Sequence, residues 1–99
     1  MSKKYEEINA TLVYLFHKAT IEDPELLDKL SENSVVVMQI EGYEAFNKWA
    51  RCISLKHPRE KGQQVVYAIF KLSPQLPPRQ MTSRRIAASK VEELELQPA

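Results

Sequence analysis

Val35-Val36-Val37-Met38-Gln39-Ile40 decides the fold, because it is rich in β-branched residues and lacks clean polar alternation. Such a run reads as a strand covered on both faces. A second run of the same kind, Val65-Val66-Tyr67-Ala68-Ile69-Phe70-Lys71-Leu72, follows after an interval of helical character. In that interval Tyr43, Phe46, Trp49, Ala50 and Ile53 recur at helical spacing, and Glu44 and Lys48 form a favourable four-residue pair on the outer side. Gly42 lets the chain turn from the first strand into this helix, His57-Pro58 breaks it, and Gly62 supplies turn freedom before the second strand. Strand, helix and strand compose a βαβ unit, so the two strands are expected to be parallel and the crossover right-handed. Two strands make a poor sheet, so a further element or a second subunit is expected to extend it.

Working outward, Ile8, Leu12, Leu15, Phe16 and Ala19 define an amphipathic helix from Tyr5 to about Ala19, with Tyr5 on the same face. Val13 and Tyr14 fall off that face. Asp23-Pro24-Glu25 reads as the start of a short helix through Leu26, Leu27 and Leu30, with Asp23 able to accept from orphan amides. Beyond Leu72, Ser73-Pro74-Gln75-Leu76-Pro77-Pro78-Arg79 carries too many prolines for a central element and reads as extended. Residues 83–96 can form a final helix with Ala87, Val91 and Leu94 on one face. Against this, Arg84 and Arg85 stand at its positive end and Glu92, Glu93 and Glu95 near its negative one. The expected organisation is a small single domain of α/β (or α+β) class. Residues 1–72 form the core and residues 73–99 a basic tail, mobile, or ordered only by docking on the core or a partner.

Ninety-nine residues suffice for one core. With 43% hydrophobic and 27% charged residues the chain has ordinary globular composition, which excludes a wholly disordered or fibrous protein. The longest apolar run has strand length, so no membrane span is expected. The N-terminus turns acidic at once and lacks a signal-peptide core, and Cys52 is the only cysteine. A reducing, cytoplasmic location is the expectation.

The net charge of +1 conceals three blocks. Residues 1–50 hold five Lys against nine Asp or Glu, a net of −4. Residues 51–90 hold nine Lys or Arg against Glu60, a net of +8, and residues 91–99 return −3. Cations at this density attract acidic protein surfaces or phosphates. Lys56, Arg59, Lys61, Arg79, Arg84 and Arg85 are the expected partner-binding residues, with Leu76, Met81 and Ile86 as apolar anchors once the tail docks.

Catalytic and metal signals are weak. His17, His57 and Cys52 are scattered singly, and no pair has tight ligand spacing, so neither metal nor cofactor is expected. Cys52 flanks the buried face of its helix with no histidine placed as its base, which reads as a structural cysteine. The turn at Ile40-Glu41-Gly42 lies where α/β folds bind ligands, but its one glycine and one carboxylate suit no phosphate. Tyr43, Phe46 and Trp49 read as core. The expected function is therefore a non-enzymatic interaction, regulatory or assembly protein with an acidic protein partner. The alternative is a nucleic-acid binder reading backbone charge, and the third reading is a small enzyme using the Glu41-Gly42 edge. A homodimer through sheet extension or through helix 5–19 is a further expectation.

Overall fold

The computed structural model describes residues 3–30, 33–56 and 61–99. In chain order these form α1 (Lys3–Glu22), α2 (Glu25–Asp28), β1 (Ser34–Ile40), α3 (Glu44–Lys56), β2 (Gln64–Ser73), a 3-10 turn at Pro78–Gln80, α4 (Ser83–Ala88) and β3 (Lys90–Pro98). This is an α+β domain with a three-stranded mixed sheet in the order β1-β2-β3.

The βαβ unit forms as the hydrophobic pattern requires. β1 and β2 run parallel, with Val36 opposite Val66, Met38 opposite Ala68 and Ile40 opposite Phe70. β2 and β3 run antiparallel, with Ala68 opposite Leu96, Phe70 opposite Leu94 and Lys71 opposite Glu93. A register shift follows Lys71, so that Leu72 faces Val91 and Glu92 is the extra residue of a bulge. Side chains alternate across each strand, so Val66, Ala68, Phe70 and Leu72 share one face of β2. That face is buried, and its Ala68, Phe70 and Leu72 join Ile8, Leu12 and Phe16 of α1 and Ile86 of α4 in one core cluster. Ile8, Leu12, Phe46, Ala68, Phe70 and Ile86 are fully buried, and burying a side chain such as Phe70 stabilises the fold by about 2–3 kcal/mol.

The opposite face differs along the sheet. Beside α3, Val37, Gln39 and Val65 are buried, whereas Tyr67 and Ile69 are half-buried and Lys71 is exposed. Only the carboxyl-terminal half of β1, from Val37 to Ile40, is covered on both faces as the sequence implies. β2 beyond Val66 is covered on one.

Residues 73–99 correct the expected organisation. The chain leaves β2 through a cis Ser73–Pro74 bond and returns to pair with it along Lys90–Pro98. The third strand of the sheet therefore comes from this chain, and the segment docks on its own core instead of standing apart from a core ending at Leu72. The expected helix over 83–96 stops at Ala88. Thr82 caps its start, its side chain accepting from the Arg85 N–H at 3.2 Å. From Ser89 the chain is extended. The strand removes the conflict between charge and helix dipole, and Glu93-Leu94-Glu95-Leu96-Gln97 alternates with the period of two that a half-covered strand needs.

Candidate functional site

The structure divides the cations that the sequence groups together. Lys56 ends α3 and Lys61 lies three residues before β2, both exposed. Arg79, Arg84 and Arg85 lie between the far end of β2 and the start of β3, since Ser73 pairs with Lys90. Arg59 and the His57-Pro58 helix stop lie outside the described residues. A ten-residue strand spans roughly 30 Å, several Debye lengths at physiological salt. The two groups are separate patches.

The patch at the strands' carboxyl ends is the denser one. Residues 71–90 contain Lys71, Arg79, Arg84, Arg85 and Lys90 and no Asp or Glu. All five cations are exposed. α4 holds Arg84 and Arg85 on a fixed backbone: Thr82 caps it, the Ser89 hydroxyl donates to the Arg85 carbonyl at 2.7 Å, and Ile86 is sunk in the core. The expected apolar anchors therefore serve this chain and not a partner. Met81 and Ile86 are buried, and Leu76 packs, partly buried, against the core cluster.

The crevice at Glu41-Gly42 is filled. Ile40, Glu41, Lys71, Leu72, Gln75 and Met81 enclose about 10 Å³, the space of a single water. Gly42 takes a left-handed φ of 89°, and Gln75 Nε2 lies 2.8 Å from where a Cβ would stand. Glu41 and Gly42 themselves are exposed at this edge.

A different site lies along α3. Asn47 and Gln39 are the buried polar residues of the core. Asn47 Oδ1 accepts from the Ile40 N–H at 2.7 Å and its Nδ2 donates to the Ile40 carbonyl at 2.8 Å. Gln39 Nε2 donates to the carbonyls of Met38 at 2.7 Å and Asn47 at 3.3 Å, while its Oε1 accepts from Arg51 Nη1 at 2.9 Å. Arg51 stands on the wall of a cleft of about 220 Å³, with Lys48, Cys52 and Leu55 beside it on α3 and Val65 and Tyr67 across from it on β2. Cys52 is exposed, which corrects its reading as a structural cysteine. On the other side of α3, Trp49 and Ile53 line an apolar cleft of about 190 Å³ with Val13, Val36 and Met38.

Tyr5, Tyr43, Phe46 and Trp49 pack as an aromatic cluster joining α1 to α3. Tyr5 meets Tyr43 and Phe46 edge-on, with centroids 6.0 and 5.9 Å apart. These rings are core, as their spacing implies. His17 is exposed, as its place opposite the apolar stripe implies. Among the described residues no group of His, Cys, Asp or Glu is arranged to hold a metal, and no helix is long and apolar enough to cross a membrane.

Residues 4–77 match the model of a family of unknown function (DUF5647). The chain belongs to that family. The DUF5647 match runs from α1 through β2, so it contains the Gln39–Asn47–Arg51 network and ends before α4 and β3. No curated protein and no solved structure matches the chain.

Sequence reasoning missed Gln39, Asn47, Lys48, Arg51 and Tyr67 as a group. The legible signals were a lone amide in an apolar strand and an asparagine between Phe46 and Ala50 on the inward stripe of a helix. Both are buried polar positions that demand partners.

Proposed function

We propose that this DUF5647 member is a non-enzymatic interaction protein that docks an acidic protein surface on the cationic end of its sheet, in a regulatory or assembly role. The observation that carries the proposal is the twenty-residue span 71–90, with five exposed cations, no carboxylate, and two of its arginines on the capped, core-anchored α4. A fixed cation cluster loses less conformational freedom on binding than one on a loose tail, which favours recognition by α4 over capture by a flexible arm. Lys56 and Lys61 form a lesser patch at the opposite end. Cross-strand Glu93 beside Lys71 bounds the cationic surface on the β3 side. A single cysteine suits a cytoplasmic setting.

Fluorescence anisotropy with a labelled acidic peptide, a neutral peptide of equal length and a labelled DNA duplex, each at low and physiological salt, tests this reading. The acidic peptide binds, the neutral one does not, and R84A/R85A weakens binding roughly tenfold, about 1.4 kcal/mol. Absence of acidic-peptide binding at low salt rejects the proposal. Tight duplex binding with a steep salt dependence replaces it with the reading of nucleic-acid backbone charge.

A further inference from the structure

We propose that the cleft between α3 and β2 binds a small carboxylate with an apolar body, an aryl or branched-chain monocarboxylate, with Arg51 as the residue that pairs with its carboxylate. This site is independent of the cationic end of the sheet.

The argument starts from what holds Arg51. Its Nη1 donates to Gln39 Oε1 at 2.9 Å, and Gln39, only 5% exposed, is itself held by the Met38 and Asn47 carbonyls. The guanidinium is thus oriented by a side chain locked in the core. A guanidinium carries five N–H donors in a rigid fork, and the Gln39 bond uses one. Lys48, one helical turn earlier, adds a second cation to the same cleft, and among the described residues that line it, Ala99 included, there is no acidic side chain. Two cationic side chains on one wall, against only the terminal carboxyl of Ala99 among the described lining residues, favour an anion.

The rest of the cleft sets the body of that anion. Val65 and the Tyr67 ring face it from β2, and Leu55, 72% exposed, stands at its rim. The space of about 220 Å³ exceeds the roughly 150 Å³ apolar cavity that takes up benzene, so a ring and a carboxylate fit together. A planar fork matches a carboxylate in two-point contact, and the apolar wall favours a monoanion carrying hydrocarbon over inorganic phosphate.

Cys52 lines the same cleft, is exposed and is the only cysteine, so its reaction with neutral iodoacetamide reports occupancy. The experiment measures the alkylation rate of the full chain with increasing benzoate, with benzyl alcohol as the uncharged analogue and sodium chloride at matched ionic strength. Benzoate slows alkylation several-fold and saturably, benzyl alcohol and chloride do not, R51Q abolishes the protection and R51K restores part of it. K48Q, which leaves the Gln39 network intact, weakens the protection and keeps the test valid if R51Q fails to fold. The proposal is overturned if benzoate gives no saturable protection, if benzyl alcohol protects equally, or if R51Q shifts the melting temperature while leaving the protection unchanged, since Arg51 is then only a partner for Gln39.

Discussion

Asn47 grips Ile40 at both of its backbone polar groups, accepting from the N–H at 2.7 Å and donating to the carbonyl at 2.8 Å. A neighbouring antiparallel strand would offer the same two bonds. α3 thus takes the place of a fourth strand at the end of β1, and the Asn47 side chain, seconded by the Gln39 bonds to the Asn47 carbonyl and Arg51, fixes the helix to the sheet edge.

Removing this grip leaves two buried backbone groups unsatisfied, each worth roughly 1–3 kcal/mol. Asn47→Ala is therefore expected to lower unfolding stability by about 2–4 kcal/mol in urea titration. Asn47→Asp should lose nearly as much, because a carboxylate cannot donate to the Ile40 carbonyl. A loss below about 1 kcal/mol for both would show that water replaces the side chain at no penalty.

Ile86 is the fully buried residue of α4, and it ties the arginines to the core. Ile86→Ala should destabilise the protein by about 2–4 kcal/mol and loosen α4 first, so that trypsin cuts after Arg84 or Arg85 before other sites. Cleavage spread evenly over the chain would contradict this anchoring role.

Two glycines take left-handed angles for different surroundings. Gly42 has φ 89° with Gln75 against it, and Gly62 has φ 83° in open space. Each change to alanine should lose roughly 1–2 kcal/mol from the backbone angle alone. Gly42→Ala should lose more than Gly62→Ala, because Gln75 must also move. Equal melting shifts for the two variants would mean that Gln75 yields freely.

Burial, followed by the neighbouring Tyr43, holds the Tyr5 phenol above its ordinary value of 10.0. Below that value the phenol is protonated in the folded and the unfolded chain, and its stabilising effect is fully present. As pH rises beyond about 10 the unfolded chain ionises first, so stability falls through the window up to the folded value. Thermal melts of wild type and Tyr5→Phe at about pH 9 and about pH 11 should converge or cross at the alkaline end. A constant gap between them would place the phenol in water.

The apolar spacing made the βαβ unit legible. The stripe of Tyr43, Phe46 and Ala50 buries what its pattern implies, whereas of the two apolar strands, read as covered on both faces, only Val37–Ile40 is covered so and β2 beyond Val66 is covered on one. The C-terminal segment was harder, because Ala87, Val91 and Leu94 mimic a helical stripe. That stripe joins two elements, and the change of period comes after Ser89. Proline and charge density made residues 73–99 resemble a loose arm, whereas Met81 and Ile86 are core residues separated from their partners by a long stretch of chain. The cationic end was legible as residue types but not as a place, since whether Lys61 and Arg85 share a surface depends on which strand ends meet. The Arg51 cleft was hidden for the opposite reason: its residues are ordinary singly, and only the pairing of β1, α3 and β2 brings them together.

β3 closes one side of the sheet with its own outer rim left over, and Glu93 and Glu95 lie on one face of it with Gln97. A second chain approaching rim to rim would set carboxylates against carboxylates along the seam. The strand that completes this small sheet therefore also guards it, discouraging the growth of fibrils from an otherwise ready template.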